Sequence, residues 1–240
     1  MFDTIILLTG PVEEAALTQA LRTHNPQLAV HAAKSLAQLE TIDRHVLRRA
    51  RLVGFVTPVI VPARILNALG FGAYNFHPGP PSYPGWVPSH FAVYDGAIEF
   101  GATAHVMVEK VDAGPIVGVE RFAVPPRTRV AELELLAFVR LARLFWRLAP
   151  ALATQSEPLP VLPVAWSGCK STRHGYAAMC EISPEITQDE LERRVEAFGT
   201  GQFGIDLTVM LHGHKFRYVP PSAATGAPDI APAQQNFEAA

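Results

Sequence analysis

RLVGFVTPVIVPARILNALGFGAYNFH, residues 51–77, holds two apolar runs with a short helical stretch between them. RLVGFVTP (51–58) and FGAYNFH (71–77) read as strands, and PARILNALG has Pro near its start and Gly at its end, as a short helix does. Apolar runs unbroken by polar alternation suit strands covered on both faces, and therefore a mostly parallel sheet whose crossovers are helices. Ligands of such sheets gather at the carboxyl ends of the strands. Asn75 and His77 fall at that end of the second run.

The pattern extends in both directions. Upstream, TIILLTG (4–10), a helical VEEAALTQALRTH and LAVHAA (28–33) repeat strand, helix and strand, and SLAQLETIDRHVLRRA (35–50) reads as one further helix starting at a Ser cap. Downstream, FGATAHVMVEKVDAGPIVGVERFAVP (100–125) reads as two strands around a VDAG turn, followed by a long amphipathic helix from about 128 to 149. The expected class is α/β: a Rossmann-like, mostly parallel sheet flanked by helices, with a small C-terminal α+β appendage. The expected division is a catalytic domain over 1–154, a Pro-rich linker over 155–163, a subdomain over 164–220 and a disordered Pro/Ala-rich tail over 221–240. In the subdomain, a helix capped at Ser183 or Thr187 precedes a hairpin turning at His212 and Gly213.

Composition narrows the function. A net charge of −2 with a pI near 6.5 gives no bulk attraction for nucleic acid. Cys169 and Cys180 form neither a CxxC pair nor a secreted framework, which suits free thiols and a cytoplasmic setting. The N-terminal segment has no basic region of a signal peptide, and no apolar stretch is as long as a membrane span.

His77 can exchange a proton near neutral pH, and Asn75, two residues earlier on a strand, shares its side of the sheet. Together they suit a carbonyl that becomes an oxyanion, with Asp112 placed to orient the imidazole or collect a proton. By spacing alone the pair reads equally as a strand end hydrogen-bonding the Pro/Gly loop after it. No Ser, Cys or Lys is set up as a covalent nucleophile, which favours direct attack by an amine or water. His77, His90, His105 and Asp112 lack the spacing of a metal motif, so no metal is expected. Tyr83, Trp86 and His90 are acceptor-side candidates, and Trp86 reads equally as core. His105, alternating along a strand, reads as a buttress of the site.

NFHPGPPSYPGW followed by FGATAHVMVEKVDAGPIV resembles the 10-formyltetrahydrofolate-dependent formyltransferases, a family that includes the glycinamide ribonucleotide, methionyl-tRNA and sugar N-formyltransferases. Its pattern N-x-H-P-S-L-L-P-x-Y-x-G, G-x-T-x-H and D-x-G is met by Asn75, His77, Pro78, Pro81, Tyr83 and Gly85, then Gly101, Thr103, His105, Asp112 and Gly114. The resemblance implies a catalytic trio: Asn75 and His77 polarise the formyl group, and Asp112 holds His77 protonated and helps to deprotonate the attacking amine. It also implies a pterin pocket walled by main chain at Val56, Thr57 and Val59 and by Glu109, Val111 and Ala113. The chain departs from the family at Gly79-Pro80-Pro81, where a Ser and two leucines are missing.

The acceptor follows less directly. The first strand–helix turn, LLTGPVEEAA, carries two Glu where a glycinamide ribonucleotide enzyme has a Gly-rich phosphate cradle. The appendage is small and near neutral, which disfavours transfer RNA without excluding it. The expected reaction is transfer of a formyl group from 10-formyltetrahydrofolate to a small-molecule amine such as an amino sugar. The alternatives are a methionyl-tRNA formyltransferase-like enzyme, a formyltetrahydrofolate hydrolase and a non-catalytic folate-binding module. The sequence leaves monomer and homodimer open.

Overall fold

The computed structural model describes residues 1–220; the tail expected at 221–240 lies outside the described residues. Two compact units divide the chain, the first from Met1 to Tyr176 and the second from Ala177 onward.

The first unit is built on a sheet of six strands in the order β2-β1-β3-β4-β5-β6. These are β1 (Thr4–Leu8), β2 (Ala29–Ala33), β3 (Ala50–Phe55), β4 (Ala73–His77), β5 (Glu99–Val106) and β6 (Ile116–Ala123). The first four pair in parallel, as the unbroken apolar runs require, while β5 pairs antiparallel with β4 on one side and β6 on the other. Every residue of β1 and β3 is buried. Period-two alternation sends Ile5, Leu7, Val53 and Phe55 to one face, against Leu17 and Leu21 of α1 (Pro11–His24) and Leu141 and Phe145 of α6 (Val130–Thr154). Ile6, Leu8 and Leu52 go to the other face, against Leu39 of α2 (Leu36–Glu40), Leu47 of α3 (Arg44–Leu47) and Ile65 of α4 (Ala63–Leu66). α5 (Pro88–Tyr94) follows the Pro/Gly loop.

Two helices differ from expectation. The single helix expected over 35–50 is two: Ser35 caps α2 as foreseen, but Asp43 accepts from the His45 N–H and starts α3 afresh. The long helix does not stop at 149 but runs through Pro150 to Thr154. Fully buried Arg51 meets its C-terminal end, donating to the carbonyls of Ala151, Leu152 and Glu157 and, from β3, to that of Phe71.

The division also falls later than the Pro-rich segment. Leu159 is buried and its N–H donates to the Tyr74 hydroxyl, and the Leu162 N–H donates to Ile116 O, so this stretch is a strap along the sheet. The division lies within α7 (Arg173–Cys180). In the second unit, β7 (Glu181–Ile182), β8 (Thr208–Leu211) and β9 (His214–Arg217) form a small sheet, with α8 (Gln188–Phe198) capped by Thr187. His212 and Gly213, both at positive φ, make the hairpin turn where it was expected. No helix among the described residues is long and apolar enough to cross a membrane.

Candidate active site

The end of β4 organises the site. Tyr74 and Phe76 point into the core, which leaves Asn75 and His77 together on the opposite side. The antiparallel register of β5 sets His105 opposite Asn75 and Thr103 opposite His77. The connection from β5 to β6 then folds back through Asp112, whose φ of 44° lies in the left-handed region, and brings its carboxylate between the two imidazoles.

Asp112 Oδ1 lies 3.2 Å from His105 Nε2, and Oδ2 lies 3.6 Å from His77 Nδ1. Oδ2 also accepts the Gly85 N–H at 2.8 Å. His105 Nδ1 is 2.9 Å from Val106 O, and His77 Nε2 is 3.0 Å from Tyr83 O. Because a carbonyl can only accept, each of those nitrogens carries a hydrogen. His105 Nε2 thus lies within reach of both Asp112 Oδ1 and the Asn75 amide. Burial by itself would push the Asp112 carboxyl up; the hydrogen bond from His105 and the nearby His77 outweigh it and hold the group at about 2. His77 behaves differently from expectation. Burial lowers its pKa and outweighs the pull of Asp112 and of Tyr83 O, so the ring is neutral at neutral pH.

The loop after β4 closes tightly over this cluster. A Cβ on Gly79 would lie 2.6 Å from His77 Nε2, so glycine here is a condition of the close approach. Thr103 Oγ1 fixes the same turn by donating to Gly79 O. Gly85, at a φ of 100°, aims its N–H at Asp112, and a Cβ there would lie 2.2 Å from Ser171 O. Residues 164–172 stitch the loop from outside: the Ser167 N–H donates to Pro81 O, the Trp86 N–H to Ser171 O, and Ser171 Oγ to Pro84 O and Trp86 O.

Of the expected trio, Asn75, His77 and Asp112 come together, and His105 joins them, its Nε2 3.3 Å from the Asn75 amide nitrogen. Val111 and Ala113 line a cavity of about 440 Å3 beside Asp112. Glu109 is exposed nearby. Val56 ends β3 at a φ of 45°, and Thr57 Oγ1 accepts the Val59 N–H; this segment does not line that cavity. The Tyr83 ring turns away from the site onto Phe100, and burial together with Asp95 pushes its hydroxyl up to about 12; only its carbonyl serves the site. Trp86 packs edge-on against Tyr176, with Arg173 over its ring. His90 is fully buried against Tyr176 and so does not present its ring to a soluble acceptor.

Trp166 is the residue sequence reasoning missed. Its Nε1–H donates to Gly114 O at 2.9 Å, and its indole meets His105 and His77 edge-on at 5.1 and 5.9 Å between centroids. An isolated Trp in a Pro-rich segment, with nothing periodic around it, gave no sign of that contact.

A family model described as formyl transferase matches residues 50–135. A methionyl-tRNA formyltransferase of Listeria monocytogenes is 33% identical over 113 residues, which is 47% of this chain and 34% of that protein. The match thus spans about a third of the length of the curated relatives. The fold is similar to that of a sugar N-formyltransferase from a Shewanella species, with a TM-score of 0.73 at 15% identity over 90% of this chain and 96% of that one. It is also similar to a 4-N formyltransferase from Francisella tularensis, with a TM-score of 0.67 at 19% identity and the same coverage of 90% and 96%. The matched segment carries Asn75, His77, His105 and Asp112.

Proposed function

We propose that this protein moves a formyl group from 10-formyltetrahydrofolate to the amine of a small molecule, an amino sugar being the leading candidate. The observation that carries the reading is the convergence of the Asn75 amide and the His77 imidazole beside a buried, ionised Asp112. The donor set suits a formyl group. The Asn75 amide is a hydrogen-bond donor for the formyl oxygen as it gains negative charge, in a buried setting that strengthens it. The amine nitrogen attacks the formyl carbon, the bond from that carbon to the folate nitrogen breaks, and one proton passes from the amine to the departing nitrogen. Asp112 and the unprotonated Nδ1 of His77 are the proton acceptors within reach.

Two observations favour a sugar acceptor: the likeness in fold to sugar N-formyltransferases over nearly their whole length, and the paired Glu13 and Glu14 at the first strand–helix turn. The closer sequence identity to methionyl-tRNA formyltransferases in the matched half supports charged transfer RNA as the second reading. The test supplies 10-formyltetrahydrofolate with aminosugar nucleotides, methionyl-tRNA or glycinamide ribonucleotide and identifies the N-formyl product by mass. Formate release without any amine would instead reveal a hydrolase. His77→Asn is expected to lower transfer by about a hundredfold or more while folate still binds. Full activity in that variant would remove His77 from the mechanism, and folate binding without turnover in the wild type would mark a binding module.

A further inference from the structure

The cavity beside Asp112 has residues 110–115 along one side and residues 164–170 along the other, and it brings Lys110 and Lys170 to the same space. Asp112 is the one acid in its lining, and both its oxygens are already engaged, by the Gly85 N–H and by His105. Among the described residues neither lysine has an ion-pair partner. Lys170 is nevertheless held in place, because its Nζ donates to Val111 O at 2.8 Å, next to Asp112 itself. An ammonium anchored by one hydrogen bond keeps two N–H groups for a ligand. Trp166, pinned by its bond to Gly114 O, gives the cavity a flat wall shared with the two imidazoles.

The start of α1, at the same carboxyl edge of the sheet, makes this arrangement informative. A helix N-terminus after the first strand is the usual place for an anion in such folds. Here a Glu13 carboxylate oxygen lies 2.9 Å from where a Cβ on Gly10 would be, so the helix start is covered by its own acid. Glu14 beside it pairs with Lys34 at 3.1 Å. A phosphate or carboxylate on a substrate is repelled there and attracted between Lys110 and Lys170.

We propose that the mouth of the Asp112 cavity, between Lys110 and Lys170, is a subsite for an acidic group, phosphate or carboxylate, carried by one of the two substrates. The inference rests on the formyl-transfer reading and adds the chemistry that orients a ligand whose reactive end lies at His77. The two sources are the glutamate tail of the folate and a phosphate on the acceptor.

The test compares wild type with Lys110→Ala, Lys170→Ala and Lys170→Arg in the full chain. Each alanine is expected to weaken the acid-bearing substrate about tenfold, chiefly in KM, with the loss shrinking as salt is raised. Lys170→Arg, which keeps the charge, is expected to restore most of it. If the folate tail is the source, the wild-type advantage disappears when 5-formyltetrahydrofolate is replaced by its analogue without glutamate. If the acceptor is the source, it disappears with an amine lacking phosphate. A loss of equal size for charged and uncharged ligands would mean that Lys170 merely braces the loop, and unchanged affinities in both alanine variants would overturn the subsite. Should wild type formylate no amine, calorimetry with 5-formyltetrahydrofolate and with inorganic pyrophosphate still decides the matter. Lysine-dependent binding of either supports the subsite, and lysine-independent binding or none of both overturns it.

Discussion

His77 keeps its ring hydrogen on Nε2 because Tyr83 O can only accept, and its other nitrogen faces a carboxylate that is already ionised. That makes the site a sensor of acid. In the unfolded chain His77 takes a proton near 6.5, but the buried ring resists it, so the unfolded state binds more protons and stability falls as the pH drops below about 6.5. Asp112 acts in a lower window. Its folded value of about 2 lies below the ordinary 3.8, so its contribution is complete above about 4 and is lost as the pH falls towards 2. The shift corresponds to stabilisation on the order of 2 kcal/mol. Urea unfolding of wild type across pH 7 to 3 should therefore show two declines. His77→Asn should flatten the upper one and Asp112→Asn the lower one; parallel profiles for wild type and His77→Asn between pH 7 and 5 would contradict this account.

Among the elements, α6 depends on a residue outside it. Its C-terminal end lies where the helix dipole is negative, and the Arg51 guanidinium supplies donors and charge to the carbonyls of Ala151 and Leu152 and to that of Glu157 just beyond the helix, while lying over the rings of Phe2 and Tyr74. Arg51→Met would keep the bulk and strand the carbonyls of Leu152 and Glu157, with an expected cost of about 3 kcal/mol in denaturant unfolding. A loss under about 1 kcal/mol would show that water replaces the guanidinium there. The sequence offered no hint of this, since Arg51 stood there only as the first residue of an apolar run. What could be read were features repeated within a few residues: the apolar strands, the Ser35 and Thr187 caps, and the pair Asn75 and His77 at a strand end. The direction of β5 and β6, the restart at Asp43 and the turning of Tyr83 into the core depend on packing between distant segments. The neutral state of His77 was hidden for the same reason, because burial, which no spacing reveals, decides it.

At the scale of the molecule, residues 155–172 belong with the first unit, and this carries a consequence for any shortened chain. A chain ending at residue 154, where the sequence suggested a domain boundary, would lose the Leu159 bond to Tyr74, the Glu157 acceptor of Arg51, Trp166 against both imidazoles and the Ser171 bonds to the Pro/Gly loop. Each missing hydrogen-bond partner leaves a buried or half-buried polar group unpaired, at about 1 kcal/mol or more apiece. A chain ending at residue 180 keeps all of them and completes α7. The chain ending at 180 should therefore unfold at higher urea than the one ending at 154 and should bind 5-formyltetrahydrofolate more tightly, because only it closes the cavity beside Asp112. Equal midpoints and equal affinities would show that the strap merely lies on the sheet, and the site would then be complete within β4, β5 and the loop that carries Asp112.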